Sequence, residues 1–339
     1  MTSDSEAASS NDVALVREAI VTAYGMDVSE VREVVRGVNR TFSLKESGDR
    51  TYYLRLYRTH GRGKDDIDAE LRLLERIKQD EVLAVSVARP TLEGTRSFRV
   101  ALSDGAMRRA ALFDGAVGRP LGMTGDDLRV AAQALKRLHG QPPLRECAPR
   151  RQIADLREAD RTLTRLAERF TFAGRAVAAA RERCERLVAA GWPPAQMPVG
   201  FCHGDYRVAN MRIDGPRITL FDFDDCGCGP QWFDLATIGW WLEIDGRCDA
   251  AFLWRASVSA YMPALHESPA FRHAISLLIL LNEINSIRFL LDYCALDDDL
   301  WRDVCKRLDD MSYRAVSGQL AINRWPACAC CDACRWGLT

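Results

Sequence analysis

The sequence predicts an α+β protein with two lobes: an N-terminal antiparallel sheet with one or two helices, then a mostly helical C-terminal lobe. Two observations lead to this fold class. Residues 12–113 combine short β-prone segments with amphipathic helices, whereas residues 119–325 are helical apart from one apolar hairpin. The chain has 339 residues, 47% of them hydrophobic, which is enough to bury the core of one large or two moderate domains.

The N-terminal lobe is predicted over residues 12–113. A first helix covers residues 12–24, where apolar residues recur with helical spacing and Gly25 follows the end. A second helix covers residues 65–79 and has a single apolar stripe. The remaining β-prone segments predict a five-stranded antiparallel sheet, with strands over residues 31–36, 41–45, 51–57, 98–102 and 106–113.

The C-terminal lobe is predicted over residues 119–325. Its helices are expected over residues 126–139, 152–169, 174–190, 234–242, 249–261, 269–293 and 298–323. Ser268 before Pro269 suits a helix cap followed by a first-turn proline. The most apolar run, 274–291, contains Asn282, Glu283, Asn285 and Arg288, which favours a buried helix over a membrane span.

The charge balance argues against some classes of partner. With 46 basic and 47 acidic residues the net charge is −1, so the composition does not favour nucleic acid or a membrane. The polar segment 1–11 lacks the apolar core of a signal peptide and is predicted to be disordered. Most of the 12 cysteines are scattered, as in reduced cytosolic proteins, so we expect a cytoplasmic protein.

Four cysteines are crowded into a predicted tail over residues 326–339, at positions Cys328, Cys330, Cys331 and Cys334. Four thiols so close together could bind a soft metal. A zinc finger, however, needs two well-separated ligand pairs, which this spacing does not supply. We therefore favour a disordered tail without a ligand.

The segment over residues 201–236 carries the chemistry. Asp205 precedes Asn210, and Asp222 follows an apolar hairpin whose turn is signalled by residues 214–216. A hairpin returns its two ends to one place, so these three polar side chains should meet. Asp205 can accept the proton of a hydroxyl nucleophile, and Asn210 and Asp222 offer oxygen ligands for Mg²⁺.

The alternative for this segment is a polar turn at a sheet edge. The pattern H-G-D-x4-N-x11-D-x-D followed by G-x4-D-L-A is much longer than such a turn requires. It resembles the catalytic core of the aminoglycoside phosphotransferase family, kinase-like enzymes related in fold to protein kinases. Over residues 201–236 the resemblance rests on specific motif residues. Over most of residues 13–325 it rests only on the positions of the predicted elements along the chain.

The resemblance implies a protein-kinase-like two-lobed fold with a catalytic loop over residues 201–225. Asp205 would be the base, and Asn210 and Asp222 would bind Mg²⁺. Asp234 would hold the loop, while His203 is expected to brace it. Arg207, two residues after the base, would steady the transferred phosphoryl group, since protein kinases that act on serine or threonine keep a cation there.

The nucleotide is expected to bind the N-terminal lobe. Gly37 and Asn39 lie where the family covers the phosphates, although the single glycine also fits a plain hairpin turn. Arg55 lies on the strand where related kinases keep a phosphate-pairing lysine, and Arg58 is a nearby rival. Glu70 faces the buried stripe of its helix, so we expect it to pair with Arg55, the alternative being a surface arginine.

A hinge is predicted over residues 114–118, between the two lobes. By resemblance, backbone groups near Phe113 and Gly115 would meet the adenine of ATP. The acceptor would bind among the C-terminal helices. Four residues are candidates for its pocket: Asp225, Trp241, Glu243 and Glu283.

The favoured function is ATP- and Mg²⁺-dependent transfer of the γ-phosphate to a hydroxyl of a small molecule. Family members act on aminoglycoside-like compounds, amino alcohols and hydroxy amino acids, and the sequence does not select one. A serine/threonine protein or peptide kinase is the second interpretation, which Arg207 favours. The third is a catalytically silent binding module, against which Asp205, Asn210 and Asp222 argue.

Overall fold

The structure is a computed structural model that describes residues 3–46, 50–141, 151–264 and 268–323, with side chains from residue 11 onward. The tail over residues 326–339 and its cysteines lie outside the described residues. The chain divides into two units. The first is formed by the described parts of Met1–Gln79, Ala84–Gly118 and Thr219–Phe221, and the second by those of Asp80–Leu83, Arg119–Ile218 and Asp222–Thr339.

The first unit contains the predicted antiparallel sheet. Its strands are β1 (Val28–Arg36), β2 (Arg40–Glu46), β3 (Thr51–Leu56), β5 (Phe98–Ala101) and β6 (Met107–Asp114), in the order β1-β2-β3-β6-β5. Burial alternates along β3, so that Tyr52, Leu54 and Leu56 face the core, as the two-residue period of a strand requires. The five-stranded sheet is confirmed, because its alternating segments could be read locally.

Two helices accompany this sheet, α1 (Ser3–Tyr24) and α2 (Lys64–Arg76). Val16 and Ile20 of α1 are fully buried in the same core cluster as Phe42 and Leu44. The helix begins at Ser3, within the segment predicted to be disordered, because alanine and glutamate there continue the helical path.

Asp12 of α1 joins three parts of the first unit. Its carboxylate accepts hydrogen bonds from the Ser103 amide at 2.9 Å, the Ser103 hydroxyl at 2.7 Å and Arg40 Nη1 at 2.6 Å. Burial would raise the pKa of Asp12, but the hydrogen bonds from Ser103 and Arg40 together lower it below the ordinary 3.8.

Asp12→Ala is expected to lower the free energy of unfolding by about 1–3 kcal/mol, because it leaves buried donors without an acceptor. A depressed carboxylate pKa stabilises above the unfolded-state value and loses that contribution as pH falls through the folded-state pKa. Urea unfolding at neutral pH, repeated below pH 3.8, measures both effects. Glu18→Ala, an exposed site on the same helix, is the control. Equal unfolding midpoints for the two variants at neutral pH would contradict the prediction.

The second unit is mostly helical. Its helices are α3 (Gly125–His139), α4 (Leu156–Arg169), α5 (Gly174–Ala189), α6 (Trp232–Ile244), α7 (Ala250–Tyr261), α8 (Pro269–Tyr293) and α9 (Asp298–Ser317). Ser268 accepts a hydrogen bond from the Phe271 amide at 3.4 Å, which confirms the predicted cap of α8. By length and composition α8 is apolar enough to cross a membrane. However, 67% of its most apolar window is buried inside the protein, as in a core helix.

Short strands carry the catalytic segment. Strands β9 (Met211–Asp214) and β10 (Arg217–Leu220) form the predicted hairpin, with Gly215 at a φ of +58° in its turn. They belong to a four-stranded sheet of order β4-β10-β9-β7, with β4 at Leu83–Val85 and β7 at Arg119–Pro120. Strand β8 (Val199–Cys202) pairs with β11 (Gly227–Pro230) in a separate two-stranded ribbon.

Candidate active site

Asp234, in the first turn of α6, fixes the loop that follows β8. Its carboxylate accepts hydrogen bonds from the backbone amides of His203 at 2.6 Å and Gly204 at 2.8 Å. The side chain of His139, at the end of α3, lies 3.0 Å away from the same carboxylate. The predicted loop-holding role of Asp234 is confirmed, because its carboxylate accepts from two successive backbone amides of that loop.

His203 braces the loop from inside, as predicted. The side chain is fully buried, and its Nδ1 accepts a hydrogen bond from the Asp205 amide at 3.3 Å. Its ring packs on Phe223, with 4.4 Å between the ring centroids, and edge-on to Tyr206 at 5.8 Å. Since one ring nitrogen accepts from the backbone of Asp205, His203 helps to orient that residue.

Gly204 allows two backbone segments to approach closely. Its φ is +85°, and a Cβ added there would lie 2.0 Å from the backbone oxygen of Asp225. No side chain fits such a gap, so only glycine is compatible with this geometry. The catalytic loop and the short helical turn Phe223–Asp225 are therefore held backbone to backbone.

Asp205 lies at the centre of the polar cluster. Its carboxylate accepts a hydrogen bond from Asn210 Nδ2 at 2.8 Å and is 3.0 Å from Arg207 Nε. Burial raises the pKa of Asp205, the charge of Arg207 lowers it, and the charges of Asp225 and Asp222 raise it further. The net effect is a raised pKa, which strengthens this carboxylate as a proton acceptor.

Arg207 connects Asp205 to a candidate pocket residue. Its guanidinium lies over the ring of Trp241, 5.4 Å from the ring centroid, and about a third of the side chain is exposed. Trp241 is half-buried. This cation–π contact keeps the Arg207 and Trp241 side chains together beside Asp205.

Asn210 and Asp222 have the chemistry of ligands for a hard divalent ion. The Asn210 amide group donates to Asp205, while its Oδ1 accepts no hydrogen bond from any described residue. Asp222 is partly exposed and adopts the left-handed conformation at φ +65°, which is strained for an aspartate. Its charge raises the pKa of Asp205, as a neighbouring carboxylate does.

The ligand set is small. Among the described residues, no three His, Cys, Asp or Glu side chains could hold a metal ion together. Mg²⁺ usually takes only one or two protein carboxylates and completes its shell with water and phosphate oxygens. One aspartate and one asparagine amide oxygen therefore fit an ion that arrives with a nucleotide.

Asp225 is paired with a residue that the sequence analysis missed, Arg151. Arg151 is held against β11: the Cys228 amide donates to the Arg151 oxygen at 3.0 Å, and the Ile153 amide donates to the Cys228 oxygen at 2.8 Å. A Cβ on Gly227 would lie 2.4 Å from the Arg151 oxygen, so this approach requires glycine. The alternating glycines of residues 226–229 are the signal that could have indicated a neighbouring backbone.

Two candidate pocket residues are corrected by the structure. Glu243 and Glu283 have fully buried side chains whose carboxylates already have partners. Glu243 accepts from Arg314 at 2.6 Å and from the Ile322 amide at 3.0 Å. Glu283 accepts from Trp240 Nε1 and Arg307 Nε, at 2.9 and 2.8 Å. Both glutamates tie α6 or α8 to C-terminal segments, so neither faces an acceptor.

In the first unit, Glu70 contacts an arginine that the sequence analysis did not consider. Its carboxylate lies 2.8 Å from Arg62, and both side chains are almost completely buried. Arg62 was not considered in the sequence analysis, because it precedes α2 in a loop. Arg55, on β3, has its guanidinium 5.3 Å from the Tyr57 ring centroid. A pair between Arg55 and Glu70 stays a prediction.

The other predicted nucleotide residues of the first unit lie in tight backbone structures. The Gly37 amide donates to the Asn39 oxygen at 3.2 Å, and the Asn39 side chain accepts from the Arg58 amide at 2.9 Å. Phe113, on β6, forms a backbone bridge with Ala88. A Cβ on Gly115 would lie 2.8 Å from the Thr51 oxygen, so packing alone already requires that glycine.

Comparison with known proteins gives consistent results. A model of the phosphotransferase enzyme family matches residues 30–267. A protein of Deinococcus radiodurans, described only as uncharacterized, is 31% identical over 247 residues, covering 70% of this chain and 70% of that protein.

Among solved structures, the chain is similar to a microcompartment-associated aminopropanol kinase, with a TM-score of 0.67 and 20% identity over 91% of this chain and 99% of that one. It is also similar to an amicoumacin kinase solved with AMP-PNP and Ca²⁺, with a TM-score of 0.68 and 15% identity over 91% and 96%. A spectinomycin phosphotransferase solved with ADP and spectinomycin has a TM-score of 0.57 and 14% identity over 88% and 97%. These likenesses confirm the kinase-like fold.

Proposed function

Because the chain belongs to the phosphotransferase enzyme family, we propose that it transfers the γ-phosphate of ATP to a hydroxyl of a small molecule. Membership makes the chain an O-phosphotransferase, a kinase. The observation that carries the finer proposal is the contact between Asp205 and Asn210, 2.8 Å long, in a loop clamped by Asp234. That arrangement supplies a base and a ligand oxygen side by side.

In the proposed reaction the acceptor oxygen attacks the γ-phosphorus, the bond from that phosphorus to the ADP oxygen breaks, and Asp205 takes the hydroxyl proton. The raised pKa of Asp205 supports the role of a proton acceptor. Arg207, 3.0 Å from Asp205, is placed to stabilise the negative charge of the phosphoryl group in transfer.

Mg²⁺ is the proposed metal, held by Asn210 and Asp222, and when bound it would neutralise the charge on the phosphates. For the nucleotide we propose Arg55, Glu70, Gly37, Asn39, Phe113 and Gly115 of the first unit. The support for these assignments is the family resemblance and the nucleotides AMP-PNP and ADP in similar structures. The similar aminopropanol kinase and spectinomycin phosphotransferase motivate an amino alcohol or an aminoglycoside-like compound as acceptor, and the family resemblance adds a hydroxy amino acid.

The test is transfer of phosphate from ATP to a panel of hydroxyl compounds, with the phosphorylated product identified by mass spectrometry. The panel contains aminoglycosides, amino alcohols, hydroxy amino acids and a mixture of serine and threonine peptides. A phosphorylated small molecule, absent with Asp205→Asn, is the expected result. Phosphorylation of peptides alone would replace the proposal with a protein kinase. Absence of ATP binding would overturn it.

Asp222→Asn is expected to weaken Mg²⁺-dependent binding of AMP-PNP by roughly tenfold or more, because even residues outside the ligand shell change metal affinity by that amount. Calorimetric titration with and without Mg²⁺ measures the effect. Asp214→Asn is the matched control, since this exposed aspartate lies in the turn of the same hairpin. If Asp222→Asn and Asp214→Asn bind the nucleotide equally well, Asp222 is not a metal ligand.

A further inference from the structure

A small cavity of the second unit, lined by both polar and apolar side chains, adjoins the loop that contains Asp205. Its wall includes Gly204, the residue before Asp205, together with Phe233 of α6 and Asn285 of α8. Two arginines, Arg151 and Arg288, also line it. Its volume is about 40 Å³, which leaves room for roughly three water-sized groups. A group of that size on an acceptor could enter while the rest of the molecule stays outside.

Arg288 places a cation in this cavity, whose wall also carries the carboxylates Asp155 and Glu158. The side chain is half-buried on α8, yet it makes no hydrogen bond or ion pair with any residue that the structure describes. Burial and the charge of Arg151 lower the pKa of Arg288 below 12.5, but a guanidinium remains charged at physiological pH. A half-buried guanidinium of this kind can bind an anion through charge-assisted hydrogen bonds.

The carboxylates near Arg288 are already committed. Asp225, Glu158 and Asp292 are the acidic groups whose charges act on it. Each of them forms an ion pair with another arginine, namely Arg151, Arg161 and Arg165 respectively. Among the described residues, no carboxylate forms an ion pair with Arg288, so its guanidinium is placed to bind an anionic ligand.

We propose that the phosphate acceptor carries a carboxylate, which binds Arg288 in this cavity while the acceptor hydroxyl reaches Asp205. This inference rests on the proposed function. A guanidinium offers a planar fork that matches the two oxygens of a carboxylate. Asn285 and Arg151 line the same wall and provide further hydrogen-bond donors. Among the classes of acceptor considered, hydroxy amino acids have this chemistry, and amino alcohols and aminoglycosides do not.

The test compares acceptors that differ only in the carboxylate. Homoserine is compared with aminopropanol (3-aminopropan-1-ol), and serine is compared with ethanolamine. Binding is measured by calorimetry in the presence of Mg²⁺ and AMP-PNP, and transfer is measured separately with Mg²⁺ and ATP. The full-length protein is used with three variants. Arg288→Ala removes the cation, Arg288→Lys keeps a charge without the fork, and Arg157→Ala removes an exposed arginine of the neighbouring helix α4.

The expected result is that the wild type prefers the carboxylated member of a pair, and that Arg288→Ala weakens its binding roughly ten- to hundredfold, as for a lost charged hydrogen bond. The KM for that acceptor should rise while kcat changes little. Arg288→Lys should recover part of the affinity, and Arg157→Ala should behave as the wild type.

Three outcomes would overturn the inference, and they remain distinguishable. Transfer to aminopropanol or ethanolamine that equals transfer to the carboxylated partners, with no effect of Arg288→Ala, removes the carboxylate site but leaves the proposed kinase intact. Binding of none of the four compounds also overturns the inference. Failure to bind AMP-PNP at all removes the proposed function and the inference together.

Discussion

Asp205→Asn is expected to lower kcat roughly 10²- to 10⁴-fold, the range of a lost general base. The variant keeps the shape of the side chain and an oxygen that can accept from Asn210 Nδ2, at 2.8 Å in the wild type. It cannot take a proton from the acceptor hydroxyl. Affinity for nucleotide should remain unchanged, because the substitution removes no proposed metal ligand.

The pH profile provides an independent measurement of the same group. A base acts in its deprotonated form, so kcat/KM should fall as pH decreases through the pKa of Asp205, which burial holds above the ordinary 3.8. Arg207 opposes that rise. Arg207→Ala should therefore move the acid limb to higher pH, and Arg207→Lys should move it less.

Steady-state kinetics and calorimetry on Asp205→Asn check the first expectation, with Asp214→Asn as the control for a neutralised aspartate outside the loop. Residual turnover above a few per cent of the wild type would mean that another group takes the proton. An acid limb that does not move in Arg207→Ala would show that the pH dependence arises elsewhere.

Gly204→Ala is expected to disrupt the catalytic loop. The added Cβ would lie 2.0 Å from the Asp225 backbone oxygen, a separation that neither segment can accept without moving. Overpacking of a rigid site destabilises by about 1–3 kcal/mol, and a left-handed non-glycine residue adds about 1–2 kcal/mol. Activity should be lost with the fall in stability, because Asp205 follows directly.

Gly215→Ala separates the two contributions. Gly215 also has a positive φ, of +58°, but nothing lies within 4 Å of an added Cβ. Thermal unfolding and turnover are measured for both variants. Gly215→Ala should show the smaller destabilisation and wild-type activity. If the two variants are equally stable and active, the backbone contact between the loop and Asp225 is not restrictive.

Local patterns explain what the sequence could predict. The strands of the first sheet, the β9–β10 hairpin and the loop through Asp205 and Asn210 depend on residues close together in the chain. Asp234 could be assigned to the same loop because the sequence motif fixes its separation along the chain from Asp205 and Asp222. Each of these features is determined within a few tens of residues, where turn chemistry and periodicity act directly.

Partner choice across long separations could not be predicted. Glu283 and Glu243 interrupt apolar helices in the manner of pocket residues, yet arginines of α9 neutralise both. Arg151 reaches Asp225 only because β11 holds its backbone. A sequence shows that a buried carboxylate needs a cation, but many arginines satisfy that need equally well, and packing selects one.

The clamp on Asp234 has a consequence for how this enzyme can change. Asp234 and its hydrogen-bond partners belong to α6, α3 and the loop itself. Arg288 and most of the cavity wall belong to α4, α8 and the segment before α4. Of the residues that line the cavity, only Gly204 and Phe233 lie on the elements that carry Asp234 and its partners. With the acceptor bound in this cavity as proposed, substitutions on α4 and α8 would alter which compound is accepted while the loop of Asp205 keeps its alignment. Libraries randomised along those two helices would then be a direct route to kinases for new hydroxyl compounds.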